Sequence, residues 1–279
     1  MKTQMGFVVL LALIVTACGA ESSPTIQPTS APVIASPLVQ PSATPTLAVT
    51  ETAAPVLEAE NLSTFDEMGI AVGFDYPDGF TQGINTAVIG VYEPQAPFDL
   101  SYPQHAQILF TGYTSDTLPM MLSGIRVFRV DEINALEAGV IESLDAVREE
   151  QADHLSDFPR FAGAGTLIDA QLAPLSFQNG EGYRYLFTKA FDAAPVSSTA
   201  LTYMFQGVTS DEKYFVSFIM TVQAPFLAEY INQPLATVEE FEAYYQIVNE
   251  RVNTSNPDAF EPALTALDEL VASIVVNQK

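Results

Sequence analysis

The 279-residue chain has a single cysteine, Cys18, so no structural disulfide can form and the folded part must hold together by packing alone. Basic residues are also scarce: 10 Lys and Arg stand against 34 Asp and Glu, for a formal net charge of −24. After Lys2 the next basic residue is Arg126, and Glu58, Glu60, Asp66, Glu67, Asp75, Asp78, Glu93, Asp99 and Asp116 lie between them uncompensated. Nucleic acid and anionic headgroups carry the same sign and are bound through Lys and Arg, so nucleic-acid binding is excluded. The charge favours a cationic partner, diffusely held divalent ions, or solubility alone.

Catalytic signatures are equally thin. The two histidines, His105 and His154, are far apart, and no Cys, Asp or Glu stands at a zinc-ligand spacing from either. His105, beside Pro103, reads as a loop residue, and His154 as a favourable charge near a helix end. There is no Gly-x-Ser-x-Gly elbow, and Gly163-Ala164-Gly165 lacks the third glycine of a phosphate cradle. No cofactor motif is present. No apolar run reaches the ~20 residues of a spanning helix.

What the N-terminus does contain is an export signal: Lys2, an apolar run from Phe7, and the small residues before Cys18. Val15-Thr16-Ala17-Cys18 resembles the lipobox of bacterial lipoproteins. That resemblance implies a signal peptide over residues 1–17 and Cys18 as the lipidated N-terminus, which anchors the protein outside the cytoplasm to the bacterial cell membrane. The residues alone also fit an ordinary secretory signal. From residue 18 to 57 the chain is rich in Pro, Ser and Thr, with Pro24, Pro28, Pro32, Pro37, Pro41 and Pro45 recurring every four or five residues. Such spacing removes donors too often for helix or sheet and predicts a disordered, polyproline-biased tether, or an O-glycosylated stalk. At ~3.1 Å per residue it would reach on the order of 100 Å when fully extended.

Residues 58–279 read as one α+β domain. Alternation predicts strands over 69–76, 87–93, 107–113 and 124–131, the first closed by the turn Pro77-Asp78-Gly79. The period then changes: Ile133, Leu136, Val140, Leu144 and Val147 predict a helix over 134–155, with Asn134 and Glu137 at capping-box spacing. Four β-rich runs, 166–177, 182–191, 200–208 and 213–223, are separated by connections short enough to require antiparallel neighbours. Their alternation suggests one aromatic face, with helices covering one side. Thr237-Val238-Glu239-Glu240 is a capping box opening a helix, and Leu264, Leu267, Val271 and Ile274 form the stripe of a terminal one.

The turn after Tyr76, the early helix, the strands around Gly182-Tyr183-Arg184 and Tyr214-Phe215-Val216, and the ending Leu270-Val271-Ala272-Ser273-Ile274 together resemble the PsbP/Mog1-like domains. The resemblance implies an α/β/α sandwich with a central antiparallel sheet flanked by α-helices, and the role of an extrinsic binding or assembly module.

Two sets of candidate residues follow. Arg184, with Tyr183, Tyr185 and Tyr203, could line a groove for a protein or small-molecule ligand; the competing roles are ion pairing for Arg184 and core or cross-strand packing for the tyrosines. Asp75 and Asp78, with Asp66 or Glu67, could hold Ca²⁺ weakly. The expected function is that of a membrane-tethered, non-enzymatic binding module. The alternative is a hydrolase of cell-surface polymer using carboxylates from the loops around Asp75, Asp78, Asp99 and Asp116.

Overall fold

A computed structural model of the chain describes residues 59–92, 101–112, 123–137, 139–156, 158, 164–199 and 201–279. Cys18, the tether, Asp99, Asp116 and Tyr113 lie outside the described residues. The described part begins with a hairpin, β1 (Asn61–Phe65) and β2 (Ile70–Phe74), joined by a single 3-10 turn that ends at Gly69 with φ 66°. That left-handed angle suits a residue without Cβ. The last strand, β10 (Val275–Gln278), pairs with the other side of β2, so the two ends of the domain share one three-stranded antiparallel sheet.

A second antiparallel sheet has seven strands: β3 (Gly83–Ile89), β4 (His105–Thr111), β5 (Gly124–Arg129), β6 (Gly165–Phe177), β7 (Gly180–Ala190), β8 (Leu201–Thr209) and β9 (Tyr214–Val222), in the order β3-β4-β5-β9-β8-β7-β6. The four runs read between 166 and 223 are β6 to β9, a meander whose turns fall where Asn-Gly and Thr-Ser-Asp-Glu chemistry predicts. Gly180 is required at the first of these turns, because a Cβ there would collide with the Phe177 ring and the Val208 carbonyl. Asn179 then serves β10 as a strand would: its amide donates to Val276 O at 2.7 Å and accepts from Val276 N at 3.1 Å.

Four α-helices lie among the described residues: α1 (Val130–Glu137), α2 (Gly139–Arg148), α3 (Val238–Thr254) and α4 (Leu264–Ser273). The single helix expected over 134–155 is instead this α1–α2 pair, which starts directly from β5 and ends at Arg148. Asn134 lies inside α1 and caps nothing. The capping box before α3 is present: Thr237 Oγ1 accepts from Glu240 N at 3.2 Å, and Glu240 Oε2 accepts from Thr237 N at 3.0 Å.

Both faces of the seven-stranded sheet are covered, as expected for a central antiparallel sheet flanked by helices and contrary to the one-sided cover that strand alternation suggested. On one face Phe110, Phe205, Phe218 and Tyr203 pack against β2, α3 and α4 through Phe74, Val248, Leu267 and Val271. On the other, Phe128, Phe215 and Ile219 pack against α1 and α2 through Ile133, Val140 and Leu144. Two-sided burial explains why β8 and β9 read as nearly continuous apolar runs. The aromatic face also divides: Tyr185 is opposite Met204 and Leu186 opposite Tyr203, so the aromatic residues of β7 and β8 point to opposite sides.

Candidate functional site

Arg184 stands on β7 facing α4, 7% exposed. Its Nη1 donates to the Gln171 carbonyl at 2.7 Å and to Gln171 Oε1 at 3.2 Å. Its Nε lies 3.3 Å from Asp268 Oδ1 on α4, within ion-pair distance but off the hydrogen-bonding direction. The same oxygen accepts the Tyr203 hydroxyl at 2.7 Å. Burial holds the Asp268 carboxyl above its usual range, against the opposing hydrogen bond from Tyr203 and the charge of Arg184. Burial first, and the Asp268 charge second, push the Tyr203 hydroxyl well above its ordinary value.

Gln171 extends this cluster to a second helix. It sits at an irregularity of the β6–β7 ladder with φ 58°, a conformation that costs a non-glycine residue on the order of 1 kcal/mol. Its amide nitrogen donates to Val252 O, Asn253 O and Ser255 O at 2.9 to 3.0 Å, closing the C-terminal end of α3. Arg184, Gln171, Asp268 and Tyr203 therefore tie α3 and α4 to the sheet. Of the four residues expected to line a groove, Arg184 and Tyr203 meet in this tie, whereas Tyr183 and Tyr185 lie on the opposite face.

That opposite face carries a polar row which strand periodicity does not reveal. The registers align Gln107, Arg126, Ser217, Gln206 and Tyr183 across five adjacent strands. Arg126, Ser217 and Gln206 are buried. With its amide oriented to satisfy both neighbours, Gln206 donates to Ser156 O at 3.0 Å and accepts from Phe158 N at 2.9 Å. The row thus anchors the chain that follows α2. A polar residue in the middle of a charge-free apolar run, as at Gln206 and Ser217, was the available signal in the sequence.

At one end of the row Tyr183 forms the wall of a half-open cleft of about 210 Å³, with Arg148, Pro174, Ser176 and Glu181 around it. Ligand pockets usually exceed ~300 Å³. Arg148 is already neutralised there, 2.9 Å from Asp145 and 3.2 Å from Glu181.

His105 is a core residue, correcting its reading as a loop residue. It opens β4, and its Nδ1–H donates to the Pro103 carbonyl at 3.0 Å while the ring centre lies 4.6 Å from that of Phe128. Burial lowers its pKa to about 4; the Pro103 hydrogen bond opposes this and the charge of Arg126 adds to it. His154 is exposed beyond the end of α2, paired with Asp153 at 3.0 Å.

Asp75, expected with Asp78 to hold Ca²⁺, directly follows β2. Asp75 Oδ1 accepts from Glu60 N at 2.7 Å, and its backbone N–H donates to Ser273 Oγ at 2.8 Å, joining the end of β2 to α4. Asp78 projects from an exposed turn, and Asp66 pairs with Lys279. Among the described residues, no three His, Cys, Asp or Glu side chains are grouped as a metal site would require. Tyr92 stacks on Tyr102 at 5.3 Å across a β-bridge, and Tyr214 is buried.

Comparison with protein-family models, curated proteins and solved structures finds no match for this chain. The fold is an α+β domain in which an antiparallel sheet packs against helices.

Proposed function

We propose that the protein is a lipid-anchored, extracytoplasmic module that binds another molecule without transforming it. Val15-Thr16-Ala17-Cys18, followed by a proline-rich tether, supports the anchored half of this reading. The observation that carries the binding half is how the buried polar groups are used. Arg184, Asp268, Tyr203 and Gln171 hold helices to the sheet, and Gln206 holds the chain after α2. Each is spent on internal architecture, as suits a rigid scaffold that presents its surface. Among the described residues no helix is long and apolar enough to cross a membrane.

The test is in-cell crosslinking of the full chain, followed by purification. A defined protein or small molecule recovered with the wild-type chain, and absent when Cys18→Ser releases it from the membrane, is the expected result. Recovery of nothing above background would contradict the reading.

A further inference from the structure

The two edges of the seven-stranded sheet are built differently. At the β6 edge the backbone N–H groups of Asp169 and Gln171 donate to Asn249 and Asn253 of α3 at 3.0 and 2.8 Å. An irregularity interrupts the ladder between Ala170 and Ala173, and Pro174 removes a donor. These are recognised ways of closing an edge to other chains. Among the described residues, β3 has none of them between Ile84 and Ile89.

The direction of the β3 peptide groups follows from its neighbours. Phe110 N donates to Ser123 O at 2.9 Å, so the even-numbered peptide groups of β4 face β5 and the odd-numbered ones face β3. Through the β3–β4 register, Asn85, Ala87 and Ile89 are bonded to β4, leaving Ile84, Thr86 and Val88 to turn N–H and C=O away from the sheet; at the start of the strand the ladder is irregular, with Gln82 N donating to the Thr111 carbonyl at 3.0 Å and Gly83 N to Thr81 Oγ1 at 3.2 Å. Asn85, Thr86 and Ala87 are exposed.

Composition sets β3 apart in the same way. Between Asp78 and Glu93 there is no charged residue and, between Pro77 and Pro94, no proline. β8 and β9 are charge-free in the same manner, but each has a strand on both sides. β3 therefore has the sequence of an interior strand at an edge position, an arrangement that accepts an added strand.

Charge selects the occupant. The chain carries a net charge of −24, and the stretch from β1 to β4 contains Asp66, Glu67, Asp75, Asp78, Glu93 and Asp99 and not one Lys or Arg, Lys279 being paired to Asp66 from the far end of the chain. Two copies meeting edge to edge would bring two such regions together, which like-charge repulsion opposes; a strand bearing Lys or Arg has the complementary sign. We infer that β3 accepts an extended cationic segment of a partner protein as an additional strand of the sheet. This rests on the reading of the molecule as a binding module and assigns the surface the partner uses.

The test uses the full chain with its lipid, in detergent micelles, and three peptides of about ten residues, a usual strand length. One alternates Lys and Val, one alternates Glu and Val, and the third is the Lys–Val peptide N-methylated at alternate residues so that it cannot form a ladder. The Lys–Val peptide is expected to slow hydrogen exchange at Ile84, Thr86 and Val88 at least about tenfold, a conservative threshold for newly paired amides; the other two are expected to leave it unchanged. Thr86→Pro, which removes an outward donor, should abolish binding of the Lys–Val peptide, and Thr86→Val, which keeps the N–H, should retain it. If Thr86→Pro does not fold, the N-methylated peptide decides the same question. The inference is overturned if the Lys–Val peptide gives no protection or if the Glu–Val peptide protects equally. Concentration-dependent protection without peptide also overturns it, by making a second copy the occupant. A natural partner crosslinked equally to wild type and Thr86→Pro removes the β3 edge alone, whereas absence of any partner on the wild type removes the binding-module reading itself.

Discussion

Asp268→Asn takes the counter-charge from Arg184 in a nearly closed site. Burial already disfavours the Asp268 charge in the fold, and Asn keeps an oxygen for the Tyr203 hydroxyl, so this change is expected to cost only about 1 kcal/mol. The double variant Arg184→Met, Asp268→Leu should cost less than the sum of its single changes, because no charge is left behind. Urea denaturation of the set measures this, and strict additivity would contradict the coupling. His105 makes a separate prediction. Its folded pKa of about 4 lies below the ~6.5 of an unfolded histidine, so the neutral ring's contribution is complete above pH ~6.5 and is lost as pH falls toward 4. That difference amounts to about 3 kcal/mol. His105→Phe should abolish this part of the pH dependence, measured as the wild-type minus variant stability across that window. Parallel curves would show that His105 titrates normally in the fold.

The helices meet the sheet through short polar connections whose contributions can be separated. Thr237→Ala removes one half of the capping box and should destabilise the domain by about 1 kcal/mol. Asn249→Ala with Asn253→Ala uncovers the β6 edge, and amide exchange at Asp169 and Gln171 should accelerate while the core strands keep their protection. Unchanged exchange at those two amides would show that α3 does not seal this edge. Elements with strong local signals were legible in the sequence: the turn-punctuated meander β6 to β9, the capped α3, and the apolar stripe of α4. β1 and β10 were not, since runs of five and four residues with polar members become strands only by pairing with β2. The start of α1 was hidden because β5 passes into the helix without a cap residue. For the candidate site, Arg184 was singled out and its carboxylate partner anticipated in kind. Asp268 itself sits beside the stripe residue Leu267 and could have been noticed there. The division of the tyrosines between two faces depends on the β7–β8 register, which alternation within one strand cannot specify.

At the scale of the whole molecule, the net charge of −24 acts on both stability and location. Like-charge repulsion opposes the compact state and is screened beyond ~10 Å at 0.1 M salt, so added NaCl should raise the melting temperature. Calcium should do no more than magnesium at equal ionic strength, given how Asp75 and Asp78 are used; a specific calcium shift would contradict this. The same charge repels anionic headgroups, so the proposed membrane location would depend on covalent lipid at Cys18, and two or more acyl chains are then expected because one gives only marginal attachment. Intact mass of the full chain extracted from membranes tests this most directly. The expected species begins at Cys18 and carries diacylglycerol; a mass equal to the unmodified chain, whether it begins at Met1 or at Cys18, would rule out lipid anchoring.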